Sequence, residues 1–379
     1  MNITRLSIHS LRIPFVERFK HSLKDRAFSD TVVVRIETET GTVGYGEGLP
    51  RPYVTGETVE SLMTHIEQSL WPIVHKTDFD SENIIESCLL HLPQHVSEGD
   101  IHAHNAARCA VELAIIDAAL KENNQGLSHL LPPKLPHVTY SGIITGGSVE
   151  SVYKRASQFK RIGMQHIKIK VGKTESFERV EAVRKALGED AVLRVDANSA
   201  WSLDEASTIL KSLEPLNVVA CEEPLEARRW TELAALRTYT TIPLMADETL
   251  VSDADATQLI QHKAIDIFNI RLSKCGGIGP SLTLAQKAKA HGLSYQLGAH
   301  VGETAILSSA GRHVAAHLGE AQFVEGSYGT LLLTEDLSRT SLRFGHKGRG
   351  QLIGGSGLGL KILDDRIHTY THTARDCSA

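Results

Sequence analysis

Asp196, Glu222 and Asp247 each lie near the end of a short apolar run, with Lys168 and Lys170 before them and Lys274 after. Three carboxylates can supply the oxygen ligands of a hard divalent cation that keeps other positions for water or substrate, as Mg2+ does. Lysines beside such an ion can move protons. The chemistry these residue types imply is removal of a proton α to a carboxylate, with a small-molecule carboxylate as substrate.

The acids must be brought together by the elements that carry them. They are separated by 26 and 25 residues, close to one strand-plus-helix repeat. From residue 137 onward short apolar runs alternate with amphipathic helical stretches: His137–Gly142, His166–Gly172, Ala191–Asn198, Val218–Leu225, Pro243–Leu250, Ile265–Ser273, Leu293–His300 and Ala321–Ser327. Eight strands with helices between them predict an α/β fold of parallel βαβ units, closed as a TIM-type barrel whose site lies at the strands' C-terminal ends. No GxGxxG follows a strand, which disfavours a dinucleotide-binding open sheet. Alternation puts Lys168 and Lys170 on one strand face and Ile167, Ile169 and Val171 on the other. The lysines then face the interior, where ammonium groups need anionic partners.

The 379 residues are too many for one ordinary compact unit and fit a barrel plus a smaller domain. Val32, Val34 and Ile36 alternate with Arg35 and Glu37, and Thr40-Gly41 turns the chain into Val43–Gly46, which predicts an antiparallel hairpin. Helical periodicity follows at about 58–74, 80–91 and 105–121. The expected organisation is an α+β capping domain over residues 1–130, the barrel over 131–345, and a segment over 346–379 that returns to the cap. A net charge of -5 without a basic cluster gives no footprint for nucleic acid. Arg5 and Arg12 interrupt the first apolar positions, and no run of about 18 apolar residues occurs, so neither a signal peptide nor a membrane span is expected. A cytoplasmic location follows as the expectation. The five cysteines are scattered without a CxxC pair, which fits reduced thiols.

The order Lys-x-Lys, Val-Asp-Ala-Asn, Glu-Glu-Pro, Ala-Asp-Glu and Ser-Lys-Cys-Gly-Gly resembles the enolase superfamily. Within it the likeness is to the muconate lactonizing enzyme (muconate cycloisomerase) subgroup of the mandelate racemase/muconate lactonizing enzyme family, and it runs through nearly the whole chain. The resemblance implies a modified (β/α)7β barrel under an α+β cap. It also implies Mg2+ on Asp196, Glu222 and Asp247, with Lys170 as acid/base on one substrate face and Lys274 on the other. Lys168 would support Lys170 electrostatically. Choosing Glu222 over Glu223, and Asp247 over Glu248, rests on this pattern; Glu223, Glu248 and Asn198 would stand behind the ligands. The reaction it implies passes through an enolate, as a muconate-type cycloisomerase or, alternatively, as a racemase/epimerase of N-acyl amino acids or dipeptides. Many relatives form closed homo-oligomers, and one is expected here.

Specificity in this superfamily is set by cap loops and the end of the eighth strand, here Phe19–Ser29, Gly48–Thr58 and Glu325–Tyr328. His21, Arg26 and Arg51 are the candidates for a distal anionic group, and Glu325, His300 and Glu303 for further substrate contacts. Dipeptide epimerases commonly carry Asp-x-Asp where this chain has Glu325-Gly326-Ser327, which argues against an ordinary dipeptide. The sixth strand lacks an Asp at its end, so His300 has no partner for the His-Asp dyad of the mandelate racemase branch. His102-Ala103-His104 precedes a cap helix and does not fit a hydrolase metal site. A metal-dependent hydrolase would need His ligands that the strand ends lack, and a non-catalytic carboxylate-binding barrel would have no use for the lysines.

Overall fold

The computed structural model describes residues 1–21 and 24–378. The apolar alternation at the start of the chain builds β1 (Ile3–Leu11), followed by β2 (Ile13–His21), β3 (Lys24–Ser29), β4 (Val32–Thr38) and β5 (Val43–Gly48). β2 and β3 form a separate antiparallel ribbon where the sequence suggests a loop. β5 is thin for a reason. Its Gly44, Gly46 and Gly48 face the helix Asn105–Glu122, and a Cβ on Gly46 would stand 1.9 Å from the Ala110 carbonyl oxygen. Glycine on the strand and alanines 106, 110 and 114 on the helix let the two backbones touch, which fixes where that helix begins.

The barrel follows with β6 (His137–Thr139), β7 (Gly142–Ile144), β8 (His166–Lys170), β9 (Val192–Asp196), β10 (Val218–Glu222), β11 (Leu244–Ala246), β12 (Ile267–Ile270) and β13 (Ser294–Leu297). β7 to β13 make one seven-stranded parallel sheet in sequential order. The eighth position is a single bridge. Glu325 N donates to Leu297 O, and Ser141 N donates to Val324 O, so residues 323–325 join the last strand to the first. The expected first strand, His137–Gly142, divides: β6 leaves the barrel and pairs antiparallel with β14 (Arg349–Gln351). β15 (Thr371–Ser378) adds to the free edge of β1, giving the cap sheet the order β15-β1-β4-β5.

Cap and barrel are locked by buried polar groups. Glu47 of β5 accepts from Thr304 N at 2.9 Å, Thr304 Oγ1 at 2.8 Å and Leu307 N at 3.0 Å. Ser273 Oγ accepts from Leu49 N at 2.8 Å. The five cysteines are free and buried, and among the described residues no helix is long and apolar enough to cross a membrane.

His104 precedes the helix Asn105–Glu122 and stacks on His65, ring centroids 3.9 Å apart. Burial and the neighbouring His104 push the His65 imidazole down to about 4. Between pH 6.5 and about 4 the unfolded chain therefore binds a proton that the folded chain refuses, so stability rises with pH across that window and is lost as pH falls. The folded protein should lose on the order of 2 kcal/mol to His65 on acidification from pH 7 to 4, and His65→Phe should remove that share, as read by urea unfolding at several pH values.

Candidate active site

The C-terminal ends of β8 to β11 bring Lys168, Lys170, Asp196, Glu222 and Asp247 together, the three acids with no solvent exposure. Parallel register sets Lys170 beside Asp196 and Asp196 beside Glu222. The Lys170 ammonium donates to Asp196 Oδ2 at 2.6 Å and to Asn198 Oδ1 at 2.6 Å. Lys168 lies deeper, 3.0 Å from Asp196 Oδ2, 3.0 Å from Glu222 Oε2 and 2.9 Å from Glu325 Oε1. Burial alone would weaken the Lys168 ammonium, but Glu222, Glu325 and Asp196 outweigh it and hold the group charged. Burial would likewise raise the Asp196 carboxyl, and Lys170 and Lys168 reverse this and keep it far below the usual range.

Lys274 follows β12 in the short helix Leu272–Cys275. Its ammonium donates to Asp247 Oδ1 at 2.9 Å, Asp247 O at 2.7 Å and Asn269 O at 2.7 Å. It is fully buried and does not border the cavity that Lys170 faces. Arg271 stands on that wall, its guanidinium bridging Asp247 and Glu222 Oε1, the latter at 3.3 Å. Arg194 of β9 pairs with Glu325 and donates to Ser141 Oγ at 3.0 Å. Neither arginine is singled out by the spacing of the acids. The signal was present, since Arg194 alternates with Asp196, and Arg271 with Asn269, onto the same inward face.

The remaining candidates divide. Arg26, Arg51, Asn198, Glu248, His300, Glu325 and Tyr328 line the cavity together with Lys168, Lys170 and Arg271. Arg26 and Arg51 share one carboxylate, Asp30, at 3.1 and 2.9 Å, which leaves positive charge at the cap side of the cavity. Both ring nitrogens of buried His300 lack a partner among the described residues, and burial with Arg271 and Arg51 nearby keeps its imidazole neutral. Glu303 is turned away from that cavity, bonded to the His300 backbone N–H at 2.6 Å, and burial lifts its carboxyl to about 8. Glu325 borders the cavity with both oxygens engaged by Arg194 and Lys168; burial opposes its charge, but Lys168 and Arg194 hold the carboxyl down to about 2. Glu223 accepts from Asp247 N at 2.6 Å and Thr249 N at 3.1 Å, so it shapes the turn that presents Asp247. The side chain of His21 lies outside the described residues.

The donor set is all oxygen, which suits a hard cation such as Mg2+. Among the described residues no three His, Cys, Asp or Glu side chains surround one centre, because each acid is turned onto an ammonium or guanidinium. The charge balance nevertheless has room for a cation. Burial, then neighbouring Asp196, lifts the Glu222 carboxyl to about 7, and burial with Asp247 and Glu223 nearby also raises that of Glu248, whose Oε2 has no partner among the described residues. Carboxylates raised by one another's charge are the environment a divalent ion relieves. The residues fit such an ion.

Two family models cover this architecture: "Mandelate racemase / muconate lactonizing enzyme, N-terminal domain" over residues 8–132 and "Enolase C-terminal domain-like" over residues 151–366. The chain belongs to the mandelate racemase/muconate lactonizing enzyme family of the enolase superfamily. Among its relatives in that family, the N-succinyl-L-Arg/Lys racemase of Bacillus cereus is 31% identical over 98% of each chain. The crystal structure of that racemase superposes with a TM-score of 0.90 over 100% of both chains. A dipeptide epimerase from Cytophaga hutchinsonii, complexed with Mg and D-Ala-L-Val, is 28% identical with a TM-score of 0.87, covering 99% of this chain and 100% of that one. A chloromuconate cycloisomerase of Pseudomonas putida is 26% identical over 98% of this chain and 99% of its own. The protein is an enolase-superfamily enzyme of the isomerase and lyase type, in a family that holds racemases, epimerases and cycloisomerases.

Proposed function

We propose that the protein racemises an N-acylated amino acid by removing and returning the proton α to its carboxylate, with Mg2+ as cofactor. The observation that carries this reading is the Lys170 amine, held on the cavity wall by Asp196 and Asn198 beside the buried acids. Asp196, Glu222 and Asp247 would hold the metal. Bound there, Mg2+ supplies positive charge beside the substrate carboxylate, where negative charge grows as the α-proton leaves. The neutral Lys170 amine takes that proton, giving an enolate and an ammonium, and the Lys274 ammonium, which rests on Asp247 behind the cavity wall, gives a proton to the opposite face as it turns from that carboxylate, inverting the α-carbon. Lys168, kept charged by three carboxylates, adds positive potential beneath the site.

The substrate class is read from what the wall offers. Glu325, the acid best placed to receive a substrate ammonium, is already paired with Arg194 and Lys168. A free α-amino group would meet no available carboxylate on that strand, whereas an acyl nitrogen carries no charge to neutralise. Arg26 and Arg51, sharing Asp30, suit an anionic acyl tail. The same two arginines favour a second reading, cycloisomerisation of an unsaturated dicarboxylate. Both are tested by mass-detected deuterium uptake in D2O with Mg2+, offering N-succinyl-L-arginine, L-Ala-L-Glu and cis,cis-muconate. Uptake into the N-succinyl compound at least about tenfold faster than into the dipeptide is expected, the free ammonium being left unpaired. Faster uptake into the dipeptide would overturn the assignment, and conversion of muconate to a lactone with no uptake elsewhere would favour the second reading.

A further inference from the structure

Lys274 is fixed from outside the barrel. Its segment continues through Gly276 and Gly277, both at positive φ, into the helix Ile278–Ala290. The helix Asn105–Glu122 of the cap meets this segment at three points. Asn105, fully buried, donates from Nδ2 to Lys274 O at 2.7 Å and to Val251 O at 2.7 Å. Arg108 donates to Gly276 O, and Glu112, paired with Arg108 at 3.0 Å, accepts from Ile278 N and from Gly279 N at 3.2 Å. A Cβ on Gly277 would stand 1.8 Å from Glu112 Oε2, so the loop and the cap helix are fitted to each other.

The Asn105 contact differs from the other two in what it joins. Val251 directly follows the turn Asp247–Leu250, which Leu250 N closes by donating to Asp247 O at 3.0 Å, and Lys274 is the group bonded to Asp247. One amide nitrogen thus ties the Lys274 backbone to the residue that follows the Asp247 turn. We propose that Asn105 is a positioning residue that holds the Lys274 ammonium at its working distance from Asp247, so that a cap side chain sets proton transfer on one substrate face only. This rests on the reading above, in which Lys274 and Lys170 serve opposite faces. Among the described residues Lys170 has no such tie: its ammonium bonds to Asp196 and Asn198, both in the barrel.

The test follows α-proton exchange in D2O with Mg2+, starting separately from N-succinyl-L-arginine and N-succinyl-D-arginine. Asn105→Ala should slow exchange from the stereoisomer whose α-hydrogen faces Lys274 by about tenfold to a hundredfold, while exchange from the other stereoisomer stays within about threefold, because a displacement of about 1 Å acts on the misplaced group alone. Asn105→Asp, which keeps the shape and loses the donor, should match it. Leu113→Ala, a cavity in the same helix, should lower stability without changing the ratio between stereoisomers. Lys274→Ala separates the two ideas. Equal loss from both stereoisomers in Lys274→Ala overturns the two-face reading; one-sided loss there with equal loss in Asn105→Ala overturns the role of Asn105. Without substrate, amide hydrogen exchange over residues 247–252 and 271–279 should rise in Asn105→Ala, and unchanged protection in both segments would also overturn it.

Discussion

Lys170→Ala should abolish α-proton exchange from the stereoisomer whose α-hydrogen faces Lys170, a loss of about a thousandfold or more, at the upper end of what a positioned acid/base contributes. The size follows from placement. Lys170 is the ammonium most open to the cavity, with 18% of its side chain exposed, whereas Lys168 borders it at 2% and Lys274 is fully buried away from it. Its loss leaves Asp196 paired with Lys168 at 3.0 Å, so the fold should be spared. The measurement is deuterium uptake from each stereoisomer beside a thermal unfolding curve: a midpoint within a few degrees with uptake gone from one stereoisomer identifies a chemical role, and uptake retained from both would remove Lys170 from the mechanism.

The largest effect on stability is expected at Arg194. It is fully buried, and its guanidinium holds Glu325 and Ser141 while lying 4.6 Å from the Phe323 ring centroid. Arg194→Met leaves Glu325 in a dry interior with Lys168 as its remaining cation, and Lys168 already serves Asp196 and Glu222. Breaking a buried pair from one side costs about 3 to 5 kcal/mol, because the abandoned charge is not rehydrated. Glu325→Gln added to Arg194→Met should restore a large part of that, since the amide carries no charge to compensate. Denaturant unfolding of both single variants and the double variant reads the coupling, and strictly additive losses would show that the pair is not a unit.

How much of this could be read beforehand varies with the physics. Asp196, Glu222 and Asp247 stand out because a barrel repeats about every 25 residues and exposes strand ends at one rim, while the choice of Glu222 over Glu223 and of Asp247 over Glu248 takes the family pattern. The partners across the barrel are not legible in that way. Alternation says that Arg194 and Arg271 point inward, but it cannot say that Arg194 meets Glu325, 131 residues later, or that Arg271 meets Glu222, 49 residues earlier. Glu325 reads as a substrate contact until its two cations are seen. The short β6 imitates a first barrel strand because three alternating residues pair as well antiparallel with β14 as parallel with a neighbour. Asn105 carries no sequence signal at all, being one polar residue at the start of an alanine-rich helix.

The pairing of β1 with β15 bears on how the protein is made. Ser10 and Thr373, bonded across that pair, are separated by 363 residues. At about 5–20 residues per second, a ribosome needs on the order of half a minute between delivering the first strand and delivering its neighbour. Throughout that interval the outer edge of β1 offers unsatisfied backbone groups, the kind of edge that recruits strands from other chains. Nascent molecules crowded on one messenger would compete for it. The yield of native protein should therefore depend on how fast the message is read and on chaperones able to cover that edge, even though the finished sheet leaves β1 paired on both sides.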